Sequence, residues 1–274
     1  MFPKAVVIPC AGQGSRWFPI TMMVPKELLP IGTRPAIQYV VEEAAAAGAQ
    51  EIVLVCHRTK LSIAEYFEGS AAHEELFRRG GKIAEWKRLR ELADRVRFRV
   101  IYQEKPKGLG DAILCAAGAV GEQSFCVILP DDLIFGREPT IGSLVRTCVS
   151  HNGWGVLLKE IGHEQVSSYG IIDGQAVTDG LYTLRRAVEK PSLESAPSRL
   201  AIVGRYYFPP RIFSLLSSLP TGALGEIQLT DAINHLARET PGYGMVCRDL
   251  IHDIGTPAGF AQAQQAVQAV HGNI

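Results

Sequence analysis

Short apolar runs alternate with helical patterns along the first half of the chain. The runs KAVVIP, EIVLVC, VRFRVIY and FCVILP have the β-branched and apolar composition of buried strands. Between the first two runs, PAIQYVVEEAAAAG carries apolar residues at helical spacing and closes at Gly48, a typical helix C-cap. This alternation predicts an α/β fold: a Rossmann-like mixed, mostly parallel sheet with helices on both faces.

Two parts of the chain depart from this alternation. The segment from Ile63 to Arg95 is strongly charged with apolar residues at helical spacing, which predicts a solvated helical hairpin before the third strand. After Asp132, WGVLLKEI, LYTLRRAVEKP, LAIVGRYYF and MVCRDLIH look like strands, whereas GEIQLTDAINHLARE and PAGFAQAQQAVQAVH look like helices. No repeat or linker marks a boundary, so we expect one domain over residues 1–274.

Charge and cysteine usage narrow the class of partner. The 28 Lys and Arg residues balance 28 Asp and Glu residues, so no global field recruits nucleic acid or an anionic membrane. No apolar segment approaches the roughly 20 residues that span a bilayer, and no signal-peptide pattern opens the chain. Six scattered cysteines lack zinc-site spacing and predict buried free thiols. We therefore expect a cytoplasmic protein that binds small molecules, with no nucleic-acid or membrane partner.

A glycine-rich turn, PCAGQGSRW, follows the first strand. Gly12 and Gly14 let backbone N–H groups approach an anion, which favours phosphate binding. The dinucleotide fingerprint fails because Trp17 stands where a third glycine is needed, and the Walker A sequence is absent. Arg16 and Lys26 remain as cations suited to a phosphate. Taken alone, a tight turn followed by a surface loop is an equal alternative.

Carboxylates follow two further strand-like runs. Asp131 and Asp132 come directly after the run FCVILP. Unpaired charge buried at this point would be costly, and Mg²⁺ would find there the oxygen ligands that it prefers. In VEKP, Glu189 and Lys190 reach one ligand only if the strand ends or bends there, which Pro191 favours. A surface Glu–Lys pair is the alternative for these two residues.

Nine motifs together resemble one family. They are GQGSR, PKELLP, QEKPKGLGDAI, LPDDLI, SYGIID, VEKP, VGRY, GEIQLTD and DIGTP. Their order resembles the bacterial UTP:glucose-1-phosphate uridylyltransferases, also called UDP-glucose pyrophosphorylases, from about Lys4 to Gln265. The resemblance implies a nucleotide-diphospho-sugar transferase fold and Mg²⁺-dependent transfer of a uridylyl group from UTP to glucose 1-phosphate.

The same resemblance implies how the chain is divided. Residues 1 to about 135 would bind the nucleotide, and residues 136–274 would bind the sugar and form the contacts of a homo-oligomer, a dimer or tetramer. The implied nucleotide-binding residues are Ala11, Gly12, Gly14, Ser15, Glu27, Gln103, Gly108 and Asp131. The implied catalytic residues are Arg16, Lys26 and Lys190. The implied sugar-binding residues are Gly170, Glu189 and Lys190, and the implied magnesium ligands are Asp132 and Asp253.

Some of these assignments have stated alternatives. The Gln103 amide offers both a donor and an acceptor to a uracil ring, but a solvated loop residue is the commoner case. Asp253 precedes PAGF and could instead cap a helix. Within Gly225–Asp231, Glu226 could face the sugar, or Thr230 and Asp231 could serve only the helix and its packing.

Two departures from the family concern the first loop. Ser15 replaces the usual threonine and keeps a hydroxyl, whereas Met22 replaces a lysine that many members carry. One alternative function is a transferase that uses dTTP or another sugar 1-phosphate. The other is a catalytically silent paralogue that binds sugar nucleotide and regulates a partner enzyme, although the retained phosphate and metal groups argue against it.

Overall fold

A computed structural model describes residues 1–136, 138–222 and 225–271. The strands are β1 (Ala5–Pro9), β2 (Pro30–Ile31), β3 (Arg34–Pro35), β4 (Glu51–Cys56), β5 (Arg97–Tyr102), β6 (Phe125–Ile128), β7 (Asp132–Ile134), β8 (Trp154–Glu160), β9 (Gly170–Thr178), β10 (Leu181–Glu189), β11 (Leu200–Phe208), β12 (Gly242–Val246) and β13 (Ile251–Asp253). The helices are α1 (Ala36–Ala47), α2 (Ser62–Glu68), α3 (Ala71–Arg79), α4 (Ile83–Arg95), α5 (Gly108–Cys115), α6 (Ala117–Val120), α7 (Thr140–Ser150), α8 (Arg211–Ser218), α9 (Leu229–Glu239) and α10 (Pro257–His271).

One nine-stranded sheet contains strands from both halves of the chain. Its order is β5-β4-β1-β6-β11-β8-β12-β10-β9. The four strands from the first half are parallel to one another. Strands β10 and β11 run opposite to the others, since they pair antiparallel with each neighbour. The predicted mixed sheet, with most strands pointing one way, is confirmed.

Helices cover both faces of this sheet. Along β1, Val6 and Ile8 belong to a core that α1, α4 and α7 complete, whereas Ala5 and Val7 belong to a second core with α5, α8 and α9. Successive side chains of a strand point to opposite faces, so a strand that is apolar throughout must be buried twice. The continuous apolar runs of the sequence reflect this double burial, as predicted.

Helix α1 follows directly from its sequence pattern. Its buried positions include Ala36, Ile37, Val40 and Val41, which form one apolar stripe. The helix ends at Gly48, whose φ of 107° is a left-handed conformation that glycine adopts without steric cost. The predicted C-cap is thus confirmed.

The charged stretch before β5 forms three helices. Helices α3 and α4 make the predicted hairpin, and α2 is an additional helix before them. Helix α3 buries no residue, whereas α4 buries Trp86, Leu89 and Leu92 against the first core. The hairpin is therefore solvated on α3 and anchored through α4.

Three local predictions differ from the structure. MVCRDLIH is not one strand, because β12 ends at Val246 and β13, which pairs elsewhere, begins at Ile251. The helix predicted from Gly225 begins only at Leu229, since the preceding residues pair with the loop before α5. Strand β9 was not predicted; it forms a hairpin with β10 through a turn at Gly180, whose φ is 76°.

The cysteine prediction is right in part. All six thiols are free, but Cys115 and Cys247 are only half-buried. Among residues 1–136, 138–222 and 225–271, we find no helix long and apolar enough to cross a membrane. Residues 272–274 of the predicted domain lie outside the described residues.

Candidate active site

The glycine-rich turn leaves β1 at the carboxyl edge of the sheet. Gly14 has a φ of +66°, and an added Cβ there would lie 3.1 Å from the Thr21 methyl group, so both conformation and packing require glycine. Nothing lies within 4 Å of the corresponding position at Gly12, and Ser15 is exposed, whereas Ala11 is buried. The turn therefore offers open backbone to a ligand, with Ala11 anchoring its base.

A buried lysine that the sequence reasoning missed holds this turn. Lys60 Nζ donates to the carbonyl oxygens of Cys10 (2.9 Å) and Gly12 (2.6 Å), and to both carboxylate oxygens of Glu27 (3.0 and 2.9 Å). Glu27 is only 1% exposed. Its carboxylate thus points into the protein, and any part it plays in nucleotide binding through that group is indirect.

Lys26 contacts the first carboxylate of the LPDDLI motif. Its ammonium donates a hydrogen bond to Asp131 Oδ2. Burial lowers the pKa of Lys26, but the charges of Asp131 and Glu27 and the hydrogen bond to Asp131 together outweigh it, and the net pKa is raised. Burial would raise the pKa of Asp131, but Lys26 lowers it below its usual value. The pair is therefore fully charged at neutral pH and poised beside the glycine-rich turn.

Two further carboxylates face each other across a short strand pair. Strand β7 pairs antiparallel with β13, and this register sets Asp132 directly opposite Asp253. Backbone N–H groups orient both: Gly204 N donates to Asp132 Oδ2 and Gly255 N donates to Asp253 Oδ1, each at 2.9 Å. The other oxygen of Asp132 accepts no hydrogen bond from the described part of the chain.

The electrostatics of these carboxylates favour a cation between them. Burial, followed by the charge of Asp131, raises the pKa of Asp132 to about 7. The same two causes raise the pKa of Asp253. Crowded carboxylates destabilise one another until a cation compensates them, and Mg²⁺ commonly takes one or two carboxylates together with phosphate oxygens. The described residues contain no cluster of three or more metal-binding side chains, so phosphate and water would have to complete the shell.

Arg16 lies at the edge of the carboxylate group. Its Nη1 is 4.0 Å from Asp253 Oδ2, and its side chain is 67% exposed. An added Cβ at Gly255 would lie 3.2 Å from Asp131 Oδ2 and 3.8 Å from Arg16 Nη1, so these groups surround one glycine. Trp17, which stands where a dinucleotide motif has its third glycine, donates from Nε1 to the carbonyl oxygen of Ile254 at 2.9 Å and so holds the turn against the residue that follows β13. The guanidinium remains free to reach an anion.

The predicted base-binding residues lie beyond β5. Gln103 is 4% exposed, and its Nε2 donates to Asp111 Oδ2 at 2.7 Å and to Gly108 O at 3.2 Å. The amide nitrogen is therefore engaged within the protein, which differs from the expectation that both ends of the amide are free for a base. At Gly108 an added Cβ would lie 2.9 Å from Glu226 Cβ, so packing as well as its φ of +89° requires glycine.

The Gly225–Asp231 segment connects the start of α5 to Glu189. Ile227 exchanges backbone hydrogen bonds with Lys107 and Gly110 at the start of α5. Three residues later, Thr230 Oγ1 donates to Glu189 Oε2 at 3.1 Å. The segment thus orients Glu189 and holds Gly108, and Thr230 is a polar contact whose partner sequence reasoning had not identified.

The predicted sugar-binding residues line one cavity of about 240 Å³, which is bounded by Tyr169, Gly170, Glu189, Lys190, Tyr206 and Thr230, among others. Strand β10 ends at Glu189, and Lys190 has a φ of 43°, a left-handed conformation that is unusual for lysine. The chain therefore bends at the position that Pro191 indicated. The two side chains come within 3.8 Å of each other, as they could not on a regular strand.

Two tyrosines of this cavity have raised pKa values. Burial raises the pKa of Tyr206, and the charges of Asp132 and then Glu189 raise it further. Burial likewise raises the pKa of Tyr169, with further contributions from Asp253 and Asp132. Both tyrosines line the cavity. Gly204, which lies between the cavity residues Ile202 and Tyr206 on β11, donates its N–H to Asp132 Oδ2, so this cavity and the carboxylate pair adjoin along β11.

Comparisons with known proteins show the family of the chain. The sequence profile of the nucleotidyl transferase family matches residues 5–270. The UTP–glucose-1-phosphate uridylyltransferase YngB of Bacillus subtilis strain 168 is 38% identical over 264 residues, which are 96% of this chain and 89% of the relative. The chain belongs to the nucleotidyl transferase family, among the UTP–glucose-1-phosphate uridylyltransferases. The resemblance inferred from the nine motifs is confirmed.

Solved structures of family members have the same fold. An apo UDP-glucose pyrophosphorylase superposes with a TM-score of 0.93 at 35% identity, covering 98% of this chain and 100% of the other. A UDP-glucose pyrophosphorylase complexed with UDP-glucose gives a TM-score of 0.89 at 35% identity, with the same coverage. The α/β nucleotidyl transferase fold is therefore confirmed over the whole matched length.

Sequence reasoning about this nucleotidyl transferase missed residues of one kind. Lys60 and Asp111 each contact a predicted site residue, and so does Thr230, whose contact with Glu189 was not predicted. Lys60 was detectable in principle, because it follows the buried strand β4 at the ligand-binding edge of the sheet. Asp111 lies within the motif QEKPKGLGDAI, but its residue type and position are those of an ordinary acidic residue in the first turn of a helix, so nothing indicated its contact with Gln103.

Proposed function

We propose that the chain transfers a uridylyl group from UTP to glucose 1-phosphate, producing UDP-glucose and releasing pyrophosphate. Membership among the uridylyltransferases supports this reaction. The observation that carries the proposal is the junction of two sites: the carboxylate pair of Asp132 and Asp253 adjoins, through the Gly204 hydrogen bond to Asp132, the cavity that contains Glu189 and Lys190. A transferase of this kind must bring a sugar phosphate next to the α-phosphate of a nucleotide.

The chemistry needs alignment more than a protein nucleophile. An oxygen of the sugar phosphate attacks the α-phosphorus in line, and the bond from that phosphorus to the pyrophosphate oxygen breaks. Both reactants are anions, so the protein must screen their repulsion and stabilise the charge that develops on the leaving group. Gly12 and Gly14 supply open backbone to the phosphates, and Arg16 and Lys26 supply positive charge.

Asp132 and Asp253 would hold a magnesium ion against the phosphates. The ion, when bound, neutralises phosphate charge and helps to orient the triphosphate. The oriented carboxylates of these two residues and their raised pKa values support the assignment. Asp131 has a different part, because its carboxylate is engaged by Lys26.

The sugar side supplies complementary groups. Glu189 would accept hydrogen bonds from hexose hydroxyls, with Thr230 fixing its carboxylate in place. Lys190 would contact the sugar phosphate. Its exposed ammonium lies 3.8 Å from the Glu189 carboxylate in the structure. At Gly170 an added Cβ would lie 3.0 Å from the Thr230 methyl group, so glycine also allows close packing at the cavity wall.

The wider organisation belongs to the same proposal. Residues 1 to about 135 would bind UTP, and residues 136–274 would bind the sugar and form a homo-oligomer, a dimer or tetramer. We place the enzyme in the cytoplasm, and its six unpaired cysteines support a reducing compartment.

A coupled assay of pyrophosphate release tests the reaction. With Mg²⁺ and glucose 1-phosphate, UTP should give the highest kcat/KM among UTP, dTTP, CTP, ATP and GTP. With UTP as the nucleotide, glucose 1-phosphate should give a higher kcat/KM than other hexose 1-phosphates. A higher value with dTTP would establish the thymidylyl alternative, and no release with any pair, despite bound UTP, would establish the silent paralogue.

A further inference from the structure

We propose that Asp111 is a positioning residue that sets the polarity of the Gln103 amide and so selects a base that presents an N–H group at its pairing edge. The inference rests on the proposed function and on the assignment of Gln103 to the base, which the family resemblance implies. It deepens that function by assigning the choice between uracil and cytosine to a residue that never touches the base.

The hydrogen-bond partners decide which way the amide points. The Gln103 side chain is enclosed by two acceptors, the Asp111 carboxylate at 2.7 Å and the Gly108 carbonyl at 3.2 Å. Neither group donates a proton when the carboxylate is ionised, so both require the NH₂ end of the amide. The reversed orientation would set Oε1 against two acceptors and leave the amide nitrogen without either bond.

The oxygen of the same amide is left over. No donor in the described part of the chain reaches Gln103 Oε1, and the atom is not among the fully buried polar atoms that lack a partner. Since Gln103 is only 4% exposed, this oxygen is the polar atom through which the side chain reaches a ligand. The site therefore presents a fixed acceptor, not an amide that rotates to suit either hydrogen-bond pattern.

A fixed acceptor distinguishes the two pyrimidines. Uracil has a proton on N3 and donates to Oε1, whereas the N3 of cytosine carries a lone pair and would oppose it. A rotating glutamine would accept both bases, because it could offer NH₂ to cytosine. Selection against cytosine thus depends on the group that prevents rotation, and Asp111 makes the shorter of the two restraining bonds.

Equilibrium binding of UTP and CTP, by isothermal titration calorimetry with Mg²⁺, tests the inference without turnover. In Asp111→Ala the Kd ratio of CTP to UTP should fall at least about tenfold, because UTP weakens while CTP does not. Asp111→Asn keeps an acceptor oxygen and should fall between Asp111→Ala and the wild type. Glu104→Gln is the matched control: it removes a carboxylate beside Gln103 that pairs with Arg58 instead, and should keep the wild-type ratio.

A second background separates positioning from structural damage. In Gln103→Ala the further change Asp111→Ala should leave the ratio unaltered, since no amide remains to be oriented. The inference is overturned if Asp111→Ala weakens the binding of UTP and of CTP equally. It is also overturned if Asp111→Ala lowers the CTP-to-UTP Kd ratio as much in the Gln103→Ala background as in the wild type. Wild-type protein that binds UTP and releases pyrophosphate would leave the proposed function standing in that case, whereas wild-type protein that does not bind UTP would overturn both.

Discussion

Replacing Lys60 by methionine should destabilise the fold and loosen the phosphate-binding turn. Methionine keeps the length and much of the volume of the side chain but removes its charge and its donors. In the wild-type protein this ammonium is the partner of Glu27, which is 1% exposed, and of the carbonyl oxygens of Cys10 and Gly12. The variant leaves a carboxylate buried without its cation.

The magnitude follows from that burial. Removing one partner of a buried ion pair costs about 3–5 kcal/mol, because the remaining charge is uncompensated. The Cys10 carbonyl is buried and adds about 1 kcal/mol for its lost donor, whereas Gly12 is exposed and water can replace Lys60 there. The total is a large part of the about 5–15 kcal/mol that stabilises a typical domain.

The loss should depend on pH in a definite direction. Burial raises the pKa of Glu27, and the charge of Lys60 opposes that rise. Without Lys60 the folded-state pKa rises further above the unfolded value. A carboxyl whose pKa is higher in the folded than in the unfolded state favours folding when it is protonated. Its contribution to the free energy of unfolding is therefore present at low pH and is lost as pH rises through the folded-state pKa. The deficit of Lys60→Met should therefore be smaller at pH 5 than at pH 8.

Urea denaturation at both pH values, followed by tryptophan fluorescence, measures the effect. Glu27→Gln alone should also destabilise, since it leaves Lys60 buried and unpaired, and the double variant should lose less than the sum of the two. Arg58→Met is the matched control, because its pair with Glu104 is exposed, and it should stay close to the wild type. A loss below about 1 kcal/mol in Lys60→Met, or strict additivity with Glu27→Gln, would refute the reasoning.

Three predictions concern the proposed reaction. Asp132→Asn should lower kcat at least roughly a hundredfold, a loss of about 3 kcal/mol in transition-state stabilisation, and near-normal turnover at saturating Mg²⁺ would contradict its role as ligand. Lys26→Ala should mainly lower kcat, with incomplete rescue by arginine because a planar guanidinium does not reproduce a compact ammonium; a change confined to the KM for glucose 1-phosphate would count against it. Lys190→Ala should also raise the KM for glucose 1-phosphate, and unchanged affinity for that substrate would remove Lys190 from the sugar phosphate. Steady-state kinetics with both substrates varied supplies all three measurements.

Local patterns in the sequence determined most of the elements. Continuous apolar runs predicted the doubly buried strands β1, β4 and β6, and the pattern from Pro257 to His271 predicted α10 with its observed bounds. Helical spacing, caps and strand alternation involve residues a few positions apart, so they survive in a sequence without its fold. The order of short motifs added the family, because motif order along the chain does not depend on any contact.

Pairings between distant residues were decided only by the tertiary structure. Asp132 lies opposite Asp253 because β7 and β13 pair in one register, and a shift of one residue would turn the carboxylates to opposite faces. The apolar residues of MVCRDLIH predict one strand. The structure divides this segment, because its first part pairs with β8 and its last part pairs with β7.

The contacts that orient the site are of this long-range kind. Lys60 lies 33 positions from Glu27, and Thr230 lies 41 positions from Glu189. A buried lysine and a surface lysine look alike in a sequence, since burial is a property of what packs around the side chain. The sequence thus determined which residues could carry the chemistry, and the sheet topology decided which of them are held, oriented and desolvated, because those three properties depend on neighbours that only folding brings together.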